Sequence, residues 1–239
     1  MPRLALSETI RAVRNADIPA ANRGSLVTDV KDLLNHESVL ERSMRLVAAD
    51  AEVHRSFDFG RTSGEPRQSG SSWEAWRRAV PQLRAAMQAM YPDPLWAEVK
   101  TRLGGGDPTA REAALVFLEV DPWCFRSGYE KADLMKGLAK LELDNGEKER
   151  VRRVVLHVIQ QPHRREFPRL VGLAASVWDP KLETDLDHVE RTGNEEVRRE
   201  VALLRNRTAS RVRKVSLQEV ARVRRTGDTY GADSVGTKG

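Results

Sequence analysis

Between residues 36 and 58, apolar side chains return at Leu40, Met44, Val47 and Ala51, in steps of four, three and four. That is the period of one face of an amphipathic helix. The same pattern recurs along most of the chain. Val151, Val154, Val155, Val158 and Ile159 fall at i, i+3, i+4, i+7 and i+8, and Phe167, Leu170, Val171, Ala174 and Trp178 form a similar stripe. Helices are predicted at about 93–103, 107–120, 128–142, 146–161, 165–178, 180–191 and 194–206. No segment alternates with the period of two that a strand requires. Short turns between helices force sequential neighbours to lie antiparallel. The expected fold is all-α, a stack of antiparallel helix pairs with a helical N-terminal segment.

Punctuation refines this outline. FGRTSGEPRQSGS, residues 59–71, lacks periodicity and is rich in Gly and Ser, which predicts a mobile linker. Ser71 with Glu74, and Ser127 with Glu130, have the spacing of capping boxes. Asp107-Pro108 is a cap followed by proline at the first helical position. Pro81 falls inside a helical pattern, where a lost donor and a ring clash predict a kink or break. The expected domains are an N-terminal helical segment (1–58), a linker (59–71), a helical stack (72–206) and a basic tail (207–239).

The stack contains an internal repeat. DPLWAEVKTRLGGGDPTAREAALVFL (93–118) matches DPKLETDLDHVERTGNEEVRREVALL (179–204). Each runs Asp-Pro, helix, glycine turn, Asp or Asn cap, then a second helix with an arginine (Arg111 or Arg198) four residues after the cap. VRRVVL (151–156) echoes VRREVALL (197–204), which suggests a third copy over 127–161, while 165–178 stands outside the alternation. Self-similarity in helix-pair units is the signature of a solenoid. Through "DPTAREAA" and "NEEVRREV", residues 93–206 resemble the HEAT-like α-helical repeat family. The resemblance implies an α-α superhelix that binds proteins along a concave face. Some members of the family bind nucleic acid, and a subgroup are alkylpurine DNA glycosylases.

Composition narrows the setting. The chain has 239 residues, 40% hydrophobic and 31% charged, as in a globular protein with a well-charged surface. No stretch approaches the roughly 20 apolar residues of a membrane span, and MPRLALSETI lacks the apolar core of a signal peptide. The single Cys124 allows no internal disulfide, so a cytoplasmic protein without a membrane partner is expected. The net charge of +5 is unevenly placed. Residues 1–204 hold 31 basic and 32 acidic side chains; residues 205–239 hold nine basic and three acidic. The body is balanced and the tail carries the excess.

The chemistry-bearing residues are weighed against packing roles. GGGDPT (104–109) lacks the preceding strand and following Lys-Ser/Thr of a phosphate loop, and reads as a turn. The five histidines include no i, i+4 pair and no cysteine neighbour, so no metal or other cofactor is expected. Glu183, Asp187 and Glu190 share one helix face, with Arg198 and Arg199 as expected partners. Cys124, between Trp123 and Phe125, reads as a packed thiol. DPWCFRSGYEK (121–131) is the densest stretch. Its aromatics either staple the turn from beneath or line a rim. An up-down order of helices would bring Trp123, Arg126, Tyr129, His163, Arg164, Arg165 and Arg191 to one edge, an aromatic and basic surface suited to an acidic partner, a phosphate or single-stranded nucleic acid. The tail offers Arg211, Arg213, Lys214, Arg222, Arg224 and Arg225 as contacts for the acidic face, a partner protein or a nucleic-acid backbone, and its small polar end predicts disorder after Arg225.

These features favour a non-enzymatic, macromolecule-binding helical-repeat protein, a scaffold or regulator with a protein partner. The alternative is a nucleic-acid-binding repeat of the HEAT-like DNA glycosylase type, for which Asp121, Trp123 and Arg126 are the nearest site residues. A small-molecule enzyme built from scattered residues is the third reading.

Overall fold

The computed structural model describes residues 30–62, 71–161 and 166–210. Among them every regular element is an α-helix. The chain divides into two compact units, Met1–Leu138 and Ala139–Gly239. The division falls inside the 72–206 span expected as one stack, and the suggested third repeat copy, 127–161, straddles it.

Unit 1 contains α1 (Val30–Leu33), α2 (His36–Thr62), α3 (Ser71–Met90), α4 (Leu95–Gly104), α5 (Pro108–Val120) and α6 (Ser127–Leu138). Its hub is α5. The run Ala113–Leu118 is buried at every position, because a helix that is apolar all round can only be a core helix. Around it pack α1, α2, α4 and α6, and α3 lies along α2. Arg42 fastens α1, α2 and α3 together. Its guanidinium is buried and donates to the carbonyls of Ser38, Ala89 and Asp32 at 3.1, 3.2 and 2.6 Å. Two of those acceptors lie in the last turns of α1 and α3, where the helix dipole favours a cation. A mid-helix arginine gives no sequence sign of this role.

Several expectations need correction. The segment expected as a linker from residue 59 is helical through Thr62, and α3 opens at Ser71. Residues 63–70 and the Ser71 side chain of the expected first capping box lie outside the described residues. Pro81 does not end α3, which is one helix from Ser71 to Met90. Its ring is exposed. The stripe Leu40–Met44–Val47 is not the core face of α2. These three side chains are exposed, while Val39, Leu46 and Val53 of the same helix are buried. The helix has two apolar faces, and periodicity alone did not rank them.

Unit 2 contains α7 (Asn145–Ile159), α8 (Phe167–Ser176), α9 (Pro180–Thr192) and α10 (195–210). The expected valine stripe of α7 is wholly buried, and α8 and α9 pack against this helix. The caps follow the residues. Asp144 and Glu147 form a reciprocal capping box on α7. The Asp179 carboxylate accepts from the Leu182 amide at 2.9 Å with Pro180 at the first position, and the Asn194 side chain accepts from Val197 at 2.9 Å. In unit 1 Asp107 accepts from Ala110 at 2.9 Å, with Pro108 at the first position. The two halves of the sequence repeat thus share the cap of the second helix. They differ at the first. Asp179 caps α9 directly, whereas α4 opens after Pro94 with no side-chain cap.

Candidate functional site: the α5–α6 corner

The corner is residues 121–126, between α5 and α6 in unit 1. It turns sharply because two residues that are not glycine adopt left-handed backbone, Asp121 at φ 47° and Arg126 at φ 67°. Such residues cost about 1–3 kcal/mol each and persist where their surroundings over-determine them. The surroundings are explicit. Lys131, with no exposed surface, donates to the Asp121 carboxylate at 2.7 Å. The Tyr91 hydroxyl donates to the Phe125 carbonyl at 2.9 Å and lies 3.5 Å from the Cys124 Sγ. The Cys124 amide donates to Ser127 Oγ at 3.2 Å, and the Ser127 amide donates back to the Cys124 carbonyl at 3.0 Å.

The expected Ser127–Glu130 capping box is therefore absent. Ser127 Oγ serves the turn before it, and Glu130 points inward. Its carboxylate, 4% exposed, accepts from Trp96 Nε1 at 2.9 Å and from Lys100 Nζ at 2.8 Å on one oxygen. Arg126 Nη2 reaches the other oxygen at 3.3 Å. A buried carboxylate surrounded by donors is stable there, and removing a partner is costly. Beneath it, Tyr91, Trp96 and Phe117 form an aromatic cluster with ring centroids 5.0–6.3 Å apart.

The side chains pointing outward differ in kind. Trp123 is 69% exposed and Tyr129 is 58% exposed. Arg126 is also exposed. The Lys131 ammonium lies 5.7 Å from the Trp123 ring centroid, so the indole stands over a buried cation. Large aromatics usually seek the core; here the packing role falls to Tyr91, Trp96 and Phe117. Only Phe125, half-buried, comes near the staple role expected of the corner aromatics.

Reactive chemistry is not favoured at Cys124. Burial pushes its thiol up from the usual range, against the opposing pull of Tyr91, Lys131 and Ser127. A thiol so shifted is a weak nucleophile at neutral pH. Burial, and next the adjacent Cys124, push the Tyr91 phenol well above its ordinary value, so it stays a neutral donor.

Trp123 and Arg126 lie on the corner and Tyr129 in the first turn of α6, all three exposed. Arg191 belongs to α9 in unit 2, exposed, with Nε donating to the Asp187 carbonyl at 3.2 Å. His163, Arg164 and Arg165 lie outside the described residues, as do Arg211, Arg213, Lys214, Arg222, Arg224 and Arg225 of the tail. The acidic face of α9 has a partner that sequence reasoning missed. Arg205 of α10 meets Glu183, Asp187 and Glu190 at 2.7, 2.5 and 2.5 Å. The expected partners act otherwise: Arg199 pairs with Glu195, and Arg198 donates to the Glu190 carbonyl. The signal was available, since Arg205 continues the α10 face about two turns beyond Arg198. GGGDPT is a turn, with Gly106 at φ 77° and the Asp107 amide donating to the Arg102 carbonyl.

An open groove of about 780 Å³ lies between α2 and α3, walled largely by alanines, including Ala48, Ala49, Ala79 and Ala86, with Arg45 and Arg78 among its lining. Among the described residues no group of three or more His, Cys, Asp or Glu is placed to hold a metal ion, and no helix is long and apolar enough to cross a membrane. Comparison with protein-family models, with curated proteins and with solved structures finds no match for this chain.

Proposed function

We propose that this chain is a non-enzymatic, HEAT-like helical-repeat protein of the cytoplasm that binds a protein partner, and that the α5–α6 corner is its principal contact. One observation carries the reading: Trp123 stands exposed on the turn, and Tyr129 exposed in the first turn of α6, where the backbone is fixed by a buried ion pair and hydrogen bonds. Exposed aromatics on a preorganised frame lose little entropy on binding and make effective anchors. Arg126, anchored through Glu130, supplies a directional cation beside them. The alanine-walled groove between α2 and α3 supports a protein rather than a nucleic acid, because its walls are mostly apolar. The half-buried Cys124 thiol, pushed up from its usual range, argues against covalent catalysis at the corner.

The test compares capture of partners from the native host by the wild type and by Trp123→Ala/Tyr129→Ala at equal input. A stoichiometric protein should be recovered by the wild type and fall about tenfold or more with the double variant, the loss expected of one or two anchor residues. The nucleic-acid alternative is tested in the same preparation with duplex and single-stranded oligonucleotides. Affinity for them that falls steeply from low to moderate salt would replace the protein reading.

A further inference from the structure

The outward face of α2 plays no part in the corner. Leu40, Met44 and Val47 are 49%, 64% and 47% exposed, and Ala51 continues the line. At 100° per residue, these four positions lie within about 60° of arc. The opposite side of the helix is already spent on the core through Val39, Leu46 and Val53.

We propose that this face seats a second copy of the chain, with α2 against α2 in antiparallel about a twofold axis between Arg45 and Leu46. The spacing four, three, four reads the same in both directions. A twofold therefore sets Leu40 against the partner's Ala51 and Met44 against the partner's Val47, an isologous contact. Charge selects the orientation. Glu37 and Arg55 lie on one edge of the stripe, about five helical turns apart and so in the same angular position. Antiparallel pairing brings each Glu37 to the partner's Arg55, whereas parallel pairing would leave the two at opposite ends of the stripe. Among the described residues Arg55 pairs with Glu52 in an exposed i, i+3 contact, which is readily exchanged. Glu41 is met by Arg45 of its own helix.

Permanent homodimers bury about 2,000 Å² or more, and specific pairs about 1,200 Å² or more. Four side chains fall well short of either, so the association is weak and concentration-dependent. It would double the number of corners presented to one partner and so raise avidity without new contacts.

Sedimentation equilibrium of the full chain, from micromolar to millimolar, tests this. The wild type should approach a dimer at the upper end. Met44→Asp should raise the dissociation constant about tenfold or more, the loss of one buried apolar anchor converted at 1.4 kcal/mol per decade. Glu37→Arg and Arg55→Glu should each weaken it about three- to fivefold, and the pair together should restore it. Should Met44→Asp lower the thermal midpoint, Met44→Gln keeps the helix and takes its place. A wild type that stays monomeric throughout overturns the proposal. So does a folded Met44 variant that associates like the wild type, or a double charge swap that fails to rescue.

Discussion

Two adjacent residues, Glu130 and Lys131, decide the character of the corner. Both are charged and both are buried, and each holds one arm of the turn. Lys131→Met keeps the volume but leaves the Asp121 carboxylate without this partner in a nearly dry site. Breaking such a pair costs about 3–5 kcal/mol, which urea unfolding would register as a fall in midpoint. Sequence reading took Glu130 for a capping residue and passed over Lys131. Helical spacing gives the face a residue occupies, but not whether a charge on that face finds partners from other helices. Trp96 and Lys100, some thirty residues away, make Glu130 a core residue. A second residue-scale prediction concerns pH. The Asp179 carboxyl is held below its usual range, first by the Leu182 amide and then by Arg152. A depressed folded value means stability that is complete at neutral pH and is lost as pH falls through that value. Asp179→Asn keeps a capping oxygen but removes the titration. Its stability should decline less steeply than the wild type's between about pH 5 and pH 3, measured by urea unfolding at a series of pH values.

At the scale of elements, helices are mostly where periodicity and caps place them. The clearest cases, α5, α7 and α9, combine an Asp or capping-box start with a long apolar stripe. The faces of α2 were less legible, because its sequence supports two apolar faces and only the tertiary contacts choose between them. Close approach between helices was not legible at all. On α6, a Cβ built at Gly137 would come within 2.6 Å of the Leu103 side chain of α4. Leu103 is buried and has little room to yield. Gly137→Ala should therefore destabilise unit 1, although alanine favours helix. Overpacking costs about 1–3 kcal/mol against the roughly 1 kcal/mol gained in helix propensity. Thermal unfolding would show a lower midpoint, and a raised one would mean that α4 and α6 are less tightly joined.

At the scale of the molecule, the sequence carried the all-helical class and the balanced body with its basic tail. The division near Leu138 escaped it. The helices on either side, α6 and α7, have ordinary stripes and a short connection, and nothing in composition marks a boundary. The two matched stretches each fold as a helix pair with a side-chain cap on the second helix, α4–α5 in one unit and α9–α10 in the other. What distinguishes unit 1 is that the exposed large apolar side chains among the described residues, Leu40, Met44, Val47, Trp123 and Tyr129, all belong to it. The account assigns them to contacts outside the chain, and for the corner this is open to one direct measurement. Equilibrium urea unfolding of Trp123→Ala/Tyr129→Ala should give a stability within about 1 kcal/mol of the wild type, as for surface positions. A loss of about 3–5 kcal/mol, the cost of deleting a buried aromatic, would show that these rings hold the corner together and are not held out by it.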